Sequence, residues 1–330
     1  MVKKLKMENE KKQDNTDISP PPLVSSVGAG PATPPAAVTG SSDNAPVSKT
    51  VADNGDGIKP DDGLIVLKNV TKKFGNNIVL DDISLAIEKG KTTVVIGPSG
   101  CGKTVLIKHM IVLQRPTSGE VYFKGRRIDD LDNKELNGIR AHFGYLFQAG
   151  ALFDSLSVAE NIIFPVRQHC QINRFSAVEE LVRNKLRMVG LDGLQHFYPA
   201  NLSGGQRKRV ALARAIALDP EVILYDEPTT GLDPIRSDTI NELILKLERE
   251  LGVTSVAVTH DMKSAYKIAD RIVMLHHGKI IADGDADYIH NHSDPIVQQF
   301  IKGEVSKKEL EQLNKTSALN PVRPPLNIED

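Results

Sequence analysis

Gly97-Pro-Ser-Gly-Cys-Gly-Lys-Thr104 decides the reading of this chain, together with what flanks it. The apolar, β-branched run Thr92 to Ile96 precedes it and reads as a buried strand. Val105 to Leu113, with apolar residues at helical spacing, follows it. A G-x-x-x-x-G-K-[ST] stretch between strand and helix is a phosphate cradle. Its glycines let backbone N–H groups turn inward at the positive end of a helix. The candidate contacts are Gly97, Pro98, Ser99, Gly100, Cys101, Gly102, Lys103 and Thr104. Lys103 supplies a point charge for the β- and γ-phosphates, and the Thr104 hydroxyl is a candidate Mg²⁺ ligand.

A second candidate phosphate grip lies a hundred residues on, at Leu202-Ser-Gly-Gly-Gln206. Ser203 and Gln206 also stand in S-x-x-Q order, so the same residues fit a plain capping box ahead of Val210, Ala213 and Ala217. Val222-Ile-Leu-Tyr-Asp226-Glu227 then gives an apolar strand ending in paired carboxylates. Asp226 is placed to hold Mg²⁺ through water, and Glu227 to polarise an attacking water. After the strand-like run Ser255 to Val258 comes His260, a single histidine at a strand end.

In that order these motifs resemble the ATPase subunit of an ATP-binding-cassette (ABC) transporter, from about Leu64 to about Lys302. The resemblance implies an α/β P-loop NTPase cassette: a RecA-like parallel-sheet core, an antiparallel β layer and an inserted helical lobe at about 154–218. It also implies further site residues. Phe74 in Lys72-Lys-Phe-Gly75 resembles the aromatic that stacks on adenine, where the family often has Tyr. Gln148 resembles the glutamine that reaches Mg²⁺ and the water. Asp233 in Gly231-Leu-Asp233 resembles the family's loop aspartate, and His260 the histidine that touches the γ-phosphate. ATP and Mg²⁺ are the implied cofactors, in a homodimer where Ser203, Gly204, Gly205 and Gln206 close on the other chain's ATP.

A narrower resemblance rests on Gln148-Ala-Gly-Ala-Leu-Phe-Asp154, Asn161-Ile-Ile-Phe-Pro165 and Asp294-Pro-Ile-Val-Gln-Gln-Phe-Ile301. These segments resemble the Mla-type ATPases of phospholipid trafficking. The implied setting is peripheral, at the cytoplasmic face of the inner membrane. Integral permease subunits are the implied partners, with a small regulatory subunit and a lipid-binding protein as further candidates. Ala149 to Phe153 is placed to meet the permease, unless Leu152 and Phe153 pack inside the helical lobe. The alternatives are an importer of a small polar solute and a soluble ABC ATPase outside transport. Long heptad coils or a second cassette would mark the latter, and the chain has neither.

Composition sets the outer limits. The first 60 residues hold no aromatic and are crowded with Pro, Ser, Ala, Gly and Asp, so residues 1–62 read as a disordered tail. Residues 63–302 read as the ATPase domain and 303–330 as a second tail, in which Ser306 to Leu313 has helical potential. No window approaches the roughly 18 apolar residues of a membrane helix, so another chain has to supply a pore. A net charge of −1 speaks against nucleic acid as a partner. Two cysteines, Cys101 and Cys170, make no disulfide framework.

The rest of the pattern places elements. Gly63 to Val70, Ile78 to Ile87 and Glu120 to Phe123 read as strands of an antiparallel layer, with turns at Gly75-Asn-Asn77 and Lys124-Gly-Arg-Arg127. Four parallel core strands are expected: before Gly97, around Tyr145, at Val222 to Tyr225, and at Ser255 to Thr259. Val158 to Ile163 and Ala177 to Val189 read as helices of the lobe. Arg271 to Leu275 and Lys279 to Ala282 read as a terminal hairpin joined at His276-His-Gly278. Arg207-Lys-Arg209 reads as the solvated face of the helix after the LSGGQ stretch.

Overall fold

The computed structural model describes residues 58–169 and 175–304. The expectations for residues 1–57, Cys170 and Ser306 to Leu313 lie outside the described residues. The antiparallel layer comes first. β1 (Ile65–Phe74) and β2 (Asn77–Ile87) form a hairpin, and β3 (Thr92–Ile96) leaves it for a second sheet, leading into α1 (Lys103–Met110). β4 (Ser118–Phe123) and β5 (Arg126–Arg127) complete the first sheet in the order β2-β1-β4-β5. Lys124-Gly-Arg-Arg127 is therefore only half a turn. Arg126 and Arg127 pair back onto Phe123 and Tyr122 as an edge strand, because their side chains find Glu135, Glu120 and Asp129.

α2 (Asn133–Arg140) and β6 (Phe143–Leu146) return the chain to the second sheet. The helical lobe follows as α3 (Val158–His169), α4 (Phe175–Met188) and α5 (Gly204–Ala215). Then come β7 (Val222–Asp226), α6 (Pro234–Leu251), β8 (Thr254–Val258), α7 (Met262–Ile268), β9 (Arg271–His276), β10 (Lys279–Gly284), α8 (Ala286–His290) and α9 (Pro295–Lys302). The second sheet runs β10-β9-β3-β8-β7-β6, with every pair parallel except β10 on β9. The expected terminal hairpin exists, but it is not a separate unit. β9 pairs in parallel with β3 and is a fifth core strand, with Arg271 beside Thr93 and Met274 beside Ile96.

Burial on both faces explains why these strands read as unbroken apolar runs. Val94, Ile96, Ile223, Tyr225, Ala257, Ile272 and Met274 face the core shared with α3 to α7. Their neighbours Val95, Val222, Leu224, Val256, Val258, Val273 and Leu275 face the core under α1 and the antiparallel sheet. The alternation is the period of two that a strand dictates. The turn expected at His276-His-Gly278 forms with His277 at φ 45° and Gly278 at φ 75°. Among the described residues no helix is long and apolar enough to cross a membrane.

One glycine in the antiparallel layer is required by a close approach. β1 bulges at Asn69, between the Lys68–Glu120 and Thr71–Ser118 pairs. Opposite the bulge, Gly119 has φ +94°, and a Cβ there would lie 2.3 Å from the Asn69 carbonyl oxygen. Gly119→Ala combines a left-handed backbone with a backbone collision, so it should destabilise the fold by about 2 kcal/mol or more. Thermal unfolding of the purified variant measures this, and an unchanged Tm would contradict the assigned register.

Candidate active site

The sequence-predicted residues collect where parallel strands end. In the order β9-β3-β8-β7-β6, the loop Gly97 to Gly102 leaves the carboxyl end of β3, and His260 follows β8. Glu227 follows β7 and Gln148 follows β6. A crevice at the carboxyl ends of such a sheet is where α/β folds bind ligands. Gly97 is dictated here, because a Cβ would lie 2.1 Å from the Leu275 carbonyl oxygen of the neighbouring β9. Lys103 is buried, and its ammonium donates to the carbonyls of Gly97 and Pro98 at 2.8 and 2.9 Å. Cys101 is buried in the same loop, and burial pushes its thiol pKa up.

Two carboxylates face this loop with different partners. The Thr104 hydroxyl donates to Asp226 Oδ1 at 2.8 Å, and the Tyr145 hydroxyl donates to Asp226 Oδ2 at 3.2 Å. Burial, with the adjacent Asp226, pushes the Tyr145 pKa up, so its phenol remains a proton donor. Glu227 is buried, with its backbone in the left-handed region at φ 50° and its N–H bonded to the Val258 carbonyl at 2.9 Å. Its Oε1 lies 3.9 Å from Lys103 Nζ. Its Oε2 lies 2.9 Å from His260 Nδ1 and accepts from the Thr230 hydroxyl at 3.0 Å. His260 and Thr230 also line a cleft of about 360 Å³ together with Gly231, Ser237, Asn241 and Ser264.

The other sequence-predicted residues stand apart from this cluster. Ser203 forms the full capping box of α5: its hydroxyl accepts from Gln206 N at 3.3 Å, and Gln206 Oε1 accepts from Ser203 N at 2.8 Å. Asp233 caps α6 by accepting from Arg236 N at 3.0 Å. Phe74 is half exposed at the end of β1, with Lys72 Nζ 5.1 Å from its ring centroid. Among the described residues, no hydrogen bond or ion pair within the chain joins Phe74, Asp233 or Ser203 to Gln206 to the Glu227 cluster. Gln148 is joined only through its backbone.

That connection was not legible from the sequence. Lys208, expected on a solvated face, is buried, and its ammonium donates to the carbonyls of Gln148 at 2.5 Å and Glu227 at 3.2 Å. Arg209 in the same run donates to the Gly190 carbonyl at 3.1 Å, and Arg207 to that of Leu202 at 2.7 Å. Gly205, Lys208 and Leu212 share one buried stripe of α5 at helical spacing, which the residue types alone do not mark as apolar. Leu152 also differs from a purely exposed interface loop, since it packs against the lobe core, whereas Phe153 is exposed beside Phe164.

Strand-end phosphate loop, paired carboxylates and opposed histidine define a nucleotide-hydrolysing cassette, and comparison with known proteins agrees. The ABC transporter family model matches residues 80–230. The intermembrane phospholipid transport system ATP-binding protein MlaF of Haemophilus influenzae is 43% identical over 241 residues, 73% of this chain and 91% of MlaF. The probable ribonucleotide transport ATP-binding protein mkl of Mycobacterium leprae is 39% identical, over 76% of this chain and 72% of mkl. The ATP-binding cassette MJ0796, solved as a dimer in a post-hydrolysis state with ADP and Pi, superposes with a TM-score of 0.63 at 36% identity. It covers 67% of this chain and 98% of its own. The chain belongs to the ATP-binding, ATP-hydrolysing subunits of ABC transporters.

The two sides of the Glu227 cluster should separate on substitution. Lys103→Ala removes the loop's cation and should abolish both tight ATP binding and turnover. Glu227→Gln should keep ATP binding and lower turnover by about 10²–10⁴-fold, the usual worth of a general base. Nucleotide binding and phosphate release on the purified variants measure the two effects, and wild-type turnover by Glu227→Gln would remove it from the mechanism.

Proposed function

We propose that this chain powers phospholipid movement between membranes, as one of a pair of ATPase subunits bound to a separate integral membrane permease. The single observation that carries the chemistry is the meeting of Lys103, Thr104, Asp226, Glu227 and His260 within hydrogen-bonding or ion-pairing reach. The cargo rests on the similarity to MlaF over nine-tenths of that protein's length. The reading places the chain at the cytoplasmic face of the inner membrane. A small regulatory subunit and a lipid-binding protein belong to the same reading, and nucleic acid has no part in it.

The donor set suits a hard divalent cation such as Mg²⁺. The Thr104 hydroxyl and an Asp226 carboxylate oxygen are 2.8 Å apart, both oxygen donors, with the Gln148 side chain the third candidate ligand. When bound there, Mg²⁺ supplies charge neutralisation to the β- and γ-phosphates. The chain's own residues do the rest. The backbone N–H groups of Gly97 and of Ser99 to Gly102 hold the phosphates, and Lys103 exchanges its carbonyl partners for phosphate oxygens. Glu227 orients and polarises the attacking water, while His260 bridges that carboxylate and the γ-phosphate. Phe74 offers its exposed ring to the adenine.

The composite dimer has support in two unexplained glycines. A Cβ on Gly204 would meet nothing nearer than 3.9 Å, and on Gly205 the nearest atom is the flexible Arg236 side chain at 3.4 Å. Among the described residues nothing demands glycine there, and glycine costs about 1 kcal/mol against alanine inside a helix. Backbone that another molecule must approach closely accounts for it. Ser203, the Gly204 and Gly205 amides and Gln206 then meet the γ-phosphate of ATP on the other subunit, with Asp233 beside the same interface. Glu227→Gln with ATP should give a stable dimer, and adding Ser203→Arg should abolish it. Light scattering with and without ATP checks this; equal mass in every condition would leave Ser203 and Gln206 with a capping role alone.

Coupling to the permease falls to Phe153 and Phe164, whose rings lie 4.7 Å apart and are both exposed beside the Gln148 loop. Phe153→Asp should spare ATP binding and thermal stability but reduce co-purification with the permease. Leu152→Asp, by contrast, should lower the Tm. The cargo itself is decided by reconstitution. Labelled phospholipid should exchange in an ATP-dependent way, and movement of ribonucleotides without phospholipid would instead favour the reading suggested by mkl. A Phe153→Asp complex that forms and transports normally would end the coupling role.

A further inference from the structure

Lys208 is a cation enclosed by three elements the mechanism uses. It sits on α5, five residues after the Ser203 cap, and its ammonium donates to backbone carbonyls at the ends of β6 and β7. Those carbonyls belong to Gln148 and Glu227, the candidate nucleotide-sensing and catalytic residues. Removing an ammonium from water is costly, and burial pushes the Lys208 pKa below the usual lysine value. The charges of Glu227 and Asp226 act against that and favour the ammonium. A methionine would fill a similar volume without the desolvation cost, so packing alone does not account for a lysine here.

Three contacts of a second cation give the arrangement a direction. Arg214, also on α5, donates to the carbonyls of Gly150 and Ala151 at 2.8 and 2.7 Å and lies over the Phe153 ring at 5.8 Å. Two cations from one helix thus hold carbonyls 148, 150 and 151 of the loop, and only Lys208 also reaches the catalytic strand end. We propose that Lys208 is a positioning residue that locks the Gln148 loop, the Glu227 backbone and the Ser203-bearing helix into one unit. Any shift of the loop would then move the carboxylate and the helix start together. Lys208 makes no hydrogen bond or ion pair with the phosphate loop or Phe74, so its loss should misplace Glu227 without weakening this chain's own grip on its nucleotide. The inference rests on Glu227 being the catalytic carboxylate.

The test is steady-state ATP hydrolysis by the full-length chain, alone and with its permease. Lys208→Met should lower kcat by about 10–100-fold, the scale of a small misplacement of a catalytic group, with KM for ATP held within about threefold. Lys208→Arg, which restores a charged donor, should recover most of kcat, and Lys208→Gln, a neutral donor, should fall between. Thermal melting identifies folded variants. If Lys208→Met does not fold, the order of kcat for wild type, Arg and Gln at constant KM carries the same expectation. Equal kcat in every folded variant, or a fall in kcat matched by a rise in KM, would overturn the proposal. Glu227→Gln in parallel separates the two levels. An inactive Glu227→Gln beside a fully active Lys208→Met removes only the role of Lys208, whereas an active Glu227→Gln removes the site reading beneath it.

Discussion

A carboxylate taken out of water has to be compensated, and Glu227 is where this structure meets that demand. Its two oxygens face a lysine ammonium on one side and a histidine and a hydroxyl on the other. Those partners come from the helix after β3, the end of β8 and the turn after β7. They can converge only because β3, β8 and β7 lie side by side in parallel, so that their carboxyl ends open on one edge. The strand order is therefore not separable from the chemistry. Moving β8 out from between β3 and β7 would leave the buried Glu227 side chain without its histidine partner.

Much of this was legible because the motifs are local. A phosphate loop needs glycines, a lysine and a hydroxyl within one strand–loop–helix unit, and that unit is contiguous in sequence. The same holds for Asp226 and Glu227 at the end of an apolar strand. The misses share the opposite property. β9 looks like half of a hairpin, and it is, but its other neighbour β3 lies far away along the chain. Hydrophobic period reports that a strand is buried and is silent on which strand it meets. Tyr145 was placed on its strand, while the reach of its hydroxyl to Asp226 depends on the β6–β7 register.

Lys208 shows the same limit in a sharper form. Three consecutive basic residues read as solvent-facing, yet all three find carbonyl partners within the fold. Basic side chains are long enough to leave a helix at one level and end at another, so their stems pack while their heads cross to a neighbouring element. Which carbonyls they find is set by how α5 crosses the loop after β6, a tertiary quantity. A pattern of residue types along one helix does not contain it.

That loop is the place where the structure departs most from what irregular backbone suggests. From Gln148 to Ser157 it holds no repetitive structure, and Gly150 and Ala151 both sit at positive φ. Even so, its carbonyls are claimed one after another. Lys208 takes that of Gln148, and Arg214 those of Gly150 and Ala151. The buried Asn161 takes those of Phe153, Leu156 and Ser157, and its own carbonyl accepts from Phe153 N. Three side chains from α3 and α5 thus replace the ladder that a helix or sheet would have provided. Leu152 anchors the middle of the segment in the lobe core, which leaves Phe153 to face outward. A segment held this way ties Phe153 to both helices at once, through Asn161 on one and Arg214 on the other. Irregular backbone whose carbonyls are held by side chains of two helices has a path as defined as that of a helix or strand, here from the exposed Phe153 back to the end of β7.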